Sequence, residues 1–368
     1  MIEYENLFLL NEPFMESYKE SFSDSLNKGW FILGNKVSTF ETEFAAYCGS
    51  KYGAGLASGL DALVLALRYY EFPEGSEVIV PSNTYIATWL AVTQVGATPV
   101  PVEPEVNTSN IDPALIAAAI TPRTRAIMPV HLYGQACRMT EIMTLAKQHG
   151  ICVVEDNAQS QGASFDGQLT GSFGHLNATS FYPGKNLGAL GDAGAVTTSD
   201  AELAAKVRVL RNYGSQKKYY NEIIGYNSRL DELQAAVLNV KLPSLMHWTQ
   251  QRKNVATLYN QNLAGLGDLV LPAIAMGATH VYHLYVVRTA HRDALQQHLQ
   301  QHQIGTLIHY PVPPHRQQAY EHLGMQEGAY PIAEELARTS LSLPMWPGME
   351  GKEVEAVTAA VRSFFEKH

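Results

Sequence analysis

Between Val78 and Thr198 a short apolar run recurs, each followed by polar residues and most by a helical run. The apolar runs are Val78–Pro81, Pro99–Val102, Ala126–Val130, Ile151–Val154, Ala178–Phe181 and Gly194–Thr198. Helical periodicity marks Ser58–Tyr70, Ala87–Gln94, Pro113–Ala119, Met139–Gly150 and Asp200–Asn212. The runs are continuous rather than alternating, so both faces of each strand must be covered. Strand-then-helix order with strands of that kind predicts an α/β layer, doubly wound around a mostly parallel sheet.

After about Leu242 the pattern changes. A strand is predicted over Val281–Arg288, a polar-faced helix over Asp293–His302, a short strand over Thr306–His309 and helices over Ile332–Arg338 and Lys352–Glu366. This is a smaller α+β unit, joined to the first part by a helical stretch from Leu230 to Leu263. A chain of 368 residues accommodates such a division, with a large domain over 1–242 and a small one over 243–368. There is no internal repeat, low-complexity tract or charge block.

Composition narrows the function classes. The formal net charge is −9, which disfavours a generic nucleic-acid binder, since that needs a basic face. No apolar run reaches the roughly 20 residues of a bilayer span. The start, MIEYENLFLLNEPF, is acidic and broken by polar residues, unlike a signal peptide. Cys48, Cys137 and Cys152 are far apart and odd in number, against a disulfide framework or a thiolate zinc site. These features predict a reduced, cytoplasmic protein with no membrane or nucleic-acid partner.

Open α/β sheets bind ligands at the carboxyl ends of their strands. The residues that follow the predicted strands are Ser82–Tyr85, Glu155–Gln159 and Tyr182–Asn186. That rim combines an aromatic ring, a carboxylate, an amide and a lysine. Asp156 ends an apolar strand, where an ionised carboxylate needs a positive partner; the alternative is a helix cap or structural ion pair. Lys185 follows Pro183-Gly184 and precedes a glycine-rich stretch, Leu187 to Gly194. On a rigid turn beside apolar walls its amine loses hydration and becomes a nucleophile toward a carbonyl.

Together these groups suggest pyridoxal 5′-phosphate (PLP), whose aldehyde takes an amine and whose ring nitrogen takes an anion. Tyr85 offers a face for the ring, although taken alone it reads first as a core tyrosine. Ser58-Gly59-Leu60 begins a helix whose free amides suit a phosphate, with Asp61 placed for a capping box. Gly188, Gly191 and Gly194 lack dinucleotide-fingerprint spacing, and Gly184-Lys185-Asn186 is no P-loop, which disfavours hydride transfer and NTP hydrolysis.

Four segments carry a family resemblance: Val80-Pro-Ser-Asn-Thr-Tyr-Ile-Ala-Thr88; Val154-Glu-Asp-Asn-Ala-Gln159 with Gly162-Ala163; Ser180-Phe-Tyr-Pro-Gly-Lys-Asn-Leu-Gly188 with Gly191-Asp-Ala-Gly194; and Gly225-Tyr-Asn-Ser-Arg-Leu-Asp231 with Gln234-Ala235. In these the chain resembles the DegT/DnrJ/EryC1/StrS sugar aminotransferases, a branch of the fold-type I PLP enzymes. The resemblance implies a three-layer fold-type I PLP-transferase large domain with a smaller C-terminal α+β domain. It implies that Lys185 carries PLP as a Schiff base and then moves protons, and that Asp156 pairs with the pyridine nitrogen. It places Gln159 near the ring hydroxyl, Tyr85 on the ring, and Ser58, Gly59, Leu60 and Ser180 on the phosphate. Asn227 would reach the phosphate of a neighbouring subunit, making the active unit a homodimer with shared sites. Leu60 departs from the Thr or Ser of many relatives and keeps only its backbone for that task. Relatives that replace the lysine with histidine are dehydratases, which Lys185 argues against.

The segments Phe181 to Asp192 and Leu307-Ile-His-Tyr-Pro-Val-Pro313 resemble members that aminate C3 of nucleotide-linked 3-keto-6-deoxyhexoses. The implied reaction moves an amino group from L-glutamate to a dTDP-3-keto-6-deoxyhexose, giving a Fuc3N- or Qui3N-type sugar for surface glycan such as lipopolysaccharide O-antigen. Alternatives are a C4 or keto-inositol aminotransferase, and a catalytically silent PLP-binding homologue. Tyr182, Asn186, Lys217, Arg229, His309 and Tyr310 are candidate substrate contacts, with Lys218 and Arg252 as further cations for a pyrophosphate. Lys217 and Lys218 read equally as solvated surface, His309 and Tyr310 taken alone are more often packing and turn residues, and Trp30 and Phe31 read as either pocket wall or core. His298 and His302 are four apart on a predicted helix but have no acidic third ligand, so no metal is expected.

Overall fold

The protein is described by a computed structural model covering residues 1–367. Seven strands form its main sheet: β1 (Tyr52–Leu56), β2 (Glu77–Pro81), β3 (Thr98–Val102), β4 (Thr124–Ile127), β5 (Cys152–Asp156), β6 (Leu176–Ser180) and β7 (Gly194–Thr198). Their spatial order is β1-β7-β6-β5-β4-β2-β3. β7 runs antiparallel to both neighbours, and the pairs from β6 through β3 are parallel. The mostly parallel α/β sheet expected from the sequence is therefore present.

Strand alternation explains why the apolar runs are unbroken. Val78 and Val80 of β2 face one cluster with Leu63, Leu67, Trp89 and Ala178. Ile79, between them, faces the opposite layer with Ile116, Ile127, Met139, Ile142 and Val153. A period of two thus supplies apolar side chains to both faces. Helix α1 (Gly59–Arg68) is buried along Ala62–Leu67 because it is packed in the first of these layers.

β1 was not anticipated, since Gly53 and Gly55 interrupt its apolar run. Both glycines admit close neighbours: a Cβ at Gly53 would lie 2.4 Å from Glu41 O, and one at Gly55 would lie 2.8 Å from Leu230 Cβ. The helices Met15–Lys28 and Asn35–Cys48 were also not anticipated.

The helical link breaks into α2 (Glu232–Lys241) and α3 (Leu245–Leu263), with a 3₁₀ turn at Leu242–Ser244 where Pro243 lacks a donor. Beyond it, β8 (Tyr285–Arg288) pairs antiparallel with β9 (Ser340–Leu343). One apolar cluster has buried members running from Val255 to Phe364, drawn from α3, β8, β9 and the helices Arg292–Gln301 and Gly351–Phe365.

Two expectations are corrected in this part. The strand predicted over Thr306–His309 is a single bridge, Leu307 to Ser342, because Pro311, Pro313 and Pro314 deny the following backbone its donors. The strand predicted from Val281 starts only at Tyr285. Val281 N and Leu284 N donate instead to Gly134 O and Tyr133 O of the first part, at 2.8 and 3.2 Å.

The glycine-rich stretch after Lys185 packs on the start of α1. A Cβ at Gly194 would lie 2.2 Å from Ser58 O and 2.8 Å from Gly59 N. Gly194→Ala is expected to lower the unfolding free energy by about 2–3 kcal/mol. Gly351→Ala, whose Cβ meets nothing within 4 Å, should stay within about 0.5 kcal/mol of wild type in the same denaturant titration.

Candidate active site

The carboxyl ends of β2, β5 and β6 open into a cavity of about 720 Å³. It is lined by Asp156 and Gln159 after β5, by Ser180, Tyr182 and Lys185 after β6, by Tyr85 after β2, and by Ser58, Gly59 and Leu60 at the start of α1. The C-terminal unit closes it with His309, Tyr310 and Met345. A cavity of this size takes a cofactor together with part of a substrate.

Asp156 is 6% exposed. Its Oδ2 accepts from Thr88 Oγ1 at 3.0 Å and its Oδ1 from Ala158 N at 3.2 Å. Burial holds this carboxyl above the usual carboxylate range, and the Ala158 amide, Lys185, Thr88 and His131 pull it partly back. Lys185 sits on the turn closed by its own amide, which donates to Tyr182 O at 2.8 Å. Burial holds its amine below the usual lysine range, with Asp156 and Glu5 opposing. A buried acid and a desolvated amine thus share one cavity, each short of counter-charge.

The four residues expected at a phosphate, Ser58, Gly59, Leu60 and Ser180, stand together on one side of the cavity. Ser58 Oγ accepts from Asp61 N at 3.1 Å, capping α1, and Ser180 Oγ accepts from Tyr182 N at 3.3 Å. As acceptors in these bonds, both hydroxyls keep a proton to donate. A Cβ at Gly59 would lie 2.5 Å from Ser180 Cβ, so the two segments touch only because residue 59 has no side chain. The first-turn amides of Gly59 and Leu60 have no intrahelical acceptor and suit an anion. The Asp61 carboxylate does not complete a capping box; it accepts from Ser228 Oγ at 2.6 Å. Leu60 itself packs against the apolar cluster. The residues present fit PLP: an amine, an acid, an anion cradle and an aromatic face surround one space.

Tyr85 is 54% exposed and its ring lies 5.2 Å from that of Tyr310, which makes it cavity wall rather than core. Gln159 Oε1 accepts from Tyr133 N at 2.6 Å, and its Nε2 donates to Tyr310 Oη at 3.0 Å. His309 Nδ1 is 2.8 Å from Ser342 Oγ, and burial beside Lys185 pushes its imidazole down to about 4. His309 is therefore a neutral group in the cavity wall near pH 7.

Other candidates fall elsewhere. Asn186 is buried beneath the turn, its Oδ1 3.1 Å from His283 Nδ1, and is not among the residues lining the cavity. Arg252 is buried, its Nη1 donating to the carbonyls of Tyr282, His283 and Met345 at 3.2–3.3 Å, which leaves it structural. Lys217 and Lys218 lie over the rings of Tyr220 and Tyr219, and Arg229 over that of Tyr213. With exposed Asn227 they flank the hairpin formed by Ser215–Lys217 and Tyr220–Asn221, apart from this chain's own cavity. Trp30 and Phe31 are exposed, not core. His298 Nε2 is 3.1 Å from Ala360 O and 3.0 Å from Ser363 Oγ. Among the described residues no group of three His, Cys, Asp or Glu could hold a metal, and no helix is long and apolar enough to cross a membrane.

Sequence reasoning missed Glu5, Thr88 and His283. Thr88 lay within a quoted motif, three residues after Tyr85, where one helical turn returns it to the same face; Glu5 and His283 carried no local signal.

Fold and cavity define a PLP-dependent aminotransferase of the α/β class. The chain belongs to the DegT/DnrJ/EryC1/StrS aminotransferase family, whose model matches residues 14–362. It is 50% identical over 364 residues, 99% of each chain, to the dTDP-3-amino-3,6-dideoxy-alpha-D-galactopyranose transaminase of Aneurinibacillus thermoaerophilus. It is also 50% identical over 342 residues, 93% of this chain and 90% of the relative, to the dTDP-3-amino-3,4,6-trideoxy-alpha-D-glucose transaminase of Streptomyces venezuelae. The crystal structure of S. venezuelae DesV in complex with a ketimine intermediate superposes with a TM-score of 0.97 at 48% identity, covering 99% of this chain and 98% of that one.

The buried Asp156 carboxyl, with its proton affinity raised by folding, makes the ligand-free protein less stable as pH rises from the ordinary aspartate value through the raised one. Asp156→Asn should flatten that part of a stability-versus-pH curve measured by urea unfolding, gaining stability at neutral pH while losing cofactor affinity.

Proposed function

We propose that the protein transfers an amino group from L-glutamate to C3 of a dTDP-3-keto-6-deoxyhexose, giving a dTDP-3-amino-3,6-dideoxyhexose. The observation that carries this reading is the 50% identity, end to end, with a transaminase of that sugar class, in a chain that keeps the amine and acid in one cavity. Bound PLP supplies an electrophilic carbon and an electron sink. Lys185 would hold it through its Nζ and move protons there. Asp156, fixed by Thr88 and Ala158, would supply the anion for its ring nitrogen. Ser58, Ser180 and the amides of Gly59 and Leu60 would anchor its phosphate. Tyr85 would offer it an aromatic face and Gln159 an amide. Tyr182, His309 and Tyr310, which line the same cavity, would meet the sugar and read hydroxyl placement by hydrogen bonding.

The active unit is a homodimer with shared sites. Asn227, Lys217 and Arg229 stand outside their own chain's cavity, among the exposed apolar side chains Tyr213, Tyr219 and Ile224. In this reading they cover the partner's cavity, Asn227 at the phosphate and the two cations at the pyrophosphate. Residues 1–242 form the large domain and 243–368 the small one. The enzyme works in the cytoplasm, and its product feeds surface glycan.

Addition of L-glutamate to the loaded protein should convert the visible cofactor band to the amine form. The dTDP-3-keto sugar should then restore it, with the two C4 epimers distinguishing the galacto from the gluco product. Failure with both sugars, while glutamate still reacts, would overturn the substrate. Lys185→Ala should lower turnover by at least about 10³-fold. Mixing it with Asn227→Ala should recover activity above either variant alone, since one site per mixed dimer is then intact. No recovery after subunit exchange would exclude shared sites.

A further inference from the structure

The first residues of the chain enter the cavity from the C-terminal side. Ile2 N donates to Gln303 O and Gly305 N donates back to Ile2 O, both at 2.8 Å. Tyr4 packs on His309 with ring centres 5.8 Å apart. Asn6 then caps the helix Leu7–Asn11, its Oδ1 accepting from Leu9 N at 3.0 Å. Glu5 lies between these two fastenings and lines the cavity beside Lys185. Its carboxylate is packed on the turn that carries the lysine: a Cβ at Gly184 would lie 2.8 Å from Glu5 Oε2.

Three cations from three elements face this carboxylate: Lys185 on the turn after β6, Lys241 at the end of α2 and Arg252 in α3. Two are committed elsewhere. Lys241 Nζ donates to Gly188 O at 2.7 Å and to Asn11 Oδ1 at 3.2 Å, and Arg252 is held by three carbonyls. Among the described residues, neither Lys185 Nζ nor the Glu5 carboxylate has a hydrogen-bond partner; they are uncommitted opposite charges across one space.

We propose that Glu5 is a positioning residue for Lys185: delivered by the N-terminal segment, its carboxylate holds the direction and the proton of the lysine amine whenever that amine is free. The inference rests on Lys185 being the amine that takes PLP.

Charge supports the geometry. Burial pushes Glu5 up to about 7, with Arg252, Lys185 and Lys241 opposing. The other groups facing Lys185 are Asp156, His283 and His309. Burial keeps both imidazoles neutral near pH 7, so they do not change charge there. Glu5 does. As pH rises through about 7 it becomes an anion and increases the proton affinity of the amine. Only the neutral amine attacks an aldehyde, so Glu5 sets the pH at which Lys185 becomes reactive.

The test is capture of PLP by the ligand-free protein. It is followed by absorbance across pH 5.5–9 and by borohydride reduction with mass mapping of the labelled lysine. Glu5→Gln should move the midpoint of capture down by about one pH unit, giving about tenfold faster capture well below it. Glu5→Ala should give the same shift independently. Glu5→Asp should restore the wild-type midpoint, and Glu3→Gln, an exposed site, should not move it. An unmoved midpoint in folded Gln and Ala variants would overturn the proposal, as would an equal shift in Glu3→Gln. If the label in wild type falls on a residue other than Lys185, the proposed function itself fails, an outcome distinct from an unmoved midpoint.

Discussion

The site depends on the incomplete neutralisation of two buried charges. Asp156 and Lys185 stand at the ends of adjacent strands, β5 and β6, where polar side chains leave an apolar sheet. Neither forms an ion pair within 4 Å with the other. Such a pair would satisfy each group and make both poor partners for a ligand. Both line one cavity, and each is destabilised by burial in the direction that a bound ring would relieve. In the proposed reading, a cationic ring nitrogen would restore the Asp156 carboxylate, and an electrophilic carbon would use the neutral Lys185 amine that desolvation favours.

Close backbone packing builds the rest of the cavity rim. Gly59 lets α1 approach Ser180, and Gly194 lets β7 pass under Ser58. The end of the glycine-rich stretch, with Gly59, thus brings chain segments together so that two hydroxyls and a helix start converge. The same economy appears at Gln159, whose amide is used at both ends by Tyr133 and Tyr310 and so links the large-sheet rim to the closing segment.

Much of this was legible in the sequence because the parallel sheet declares itself. Strands covered on both faces leave continuous apolar runs, and the polar residues after each run name the rim. Asp156, Lys185 and Tyr85 were found in that way, and Ser58 as the cap of a predicted helix. What was illegible has physical causes as well. β1 was hidden by two glycines whose presence is explained only by Leu230 and Glu41 from distant parts of the chain. The Thr306–His309 strand was expected from side-chain character alone, while the prolines that follow decide its hydrogen bonding. Arg252 appeared to be a cation for a pyrophosphate, and only the fold shows it surrounded by carbonyls. Glu5 belongs to the same class: its neighbours lie about 180 to 250 residues away, and no local pattern marks it.

That last residue bears on how the two parts of the chain cooperate. The cavity has the large sheet on one side and His309, Tyr310 and Met345 on the other, and the N-terminal segment is fastened to the second side through Gln303 and Gly305. Tyr4 is tied to that side as well, its carbonyl accepting from Met345 N at 3.4 Å. The carboxylate beside Lys185 is therefore presented from the same side as His309, Tyr310 and Met345. The cavity takes its amine from a turn of the large sheet and the facing acid from a segment fastened to the opposite wall.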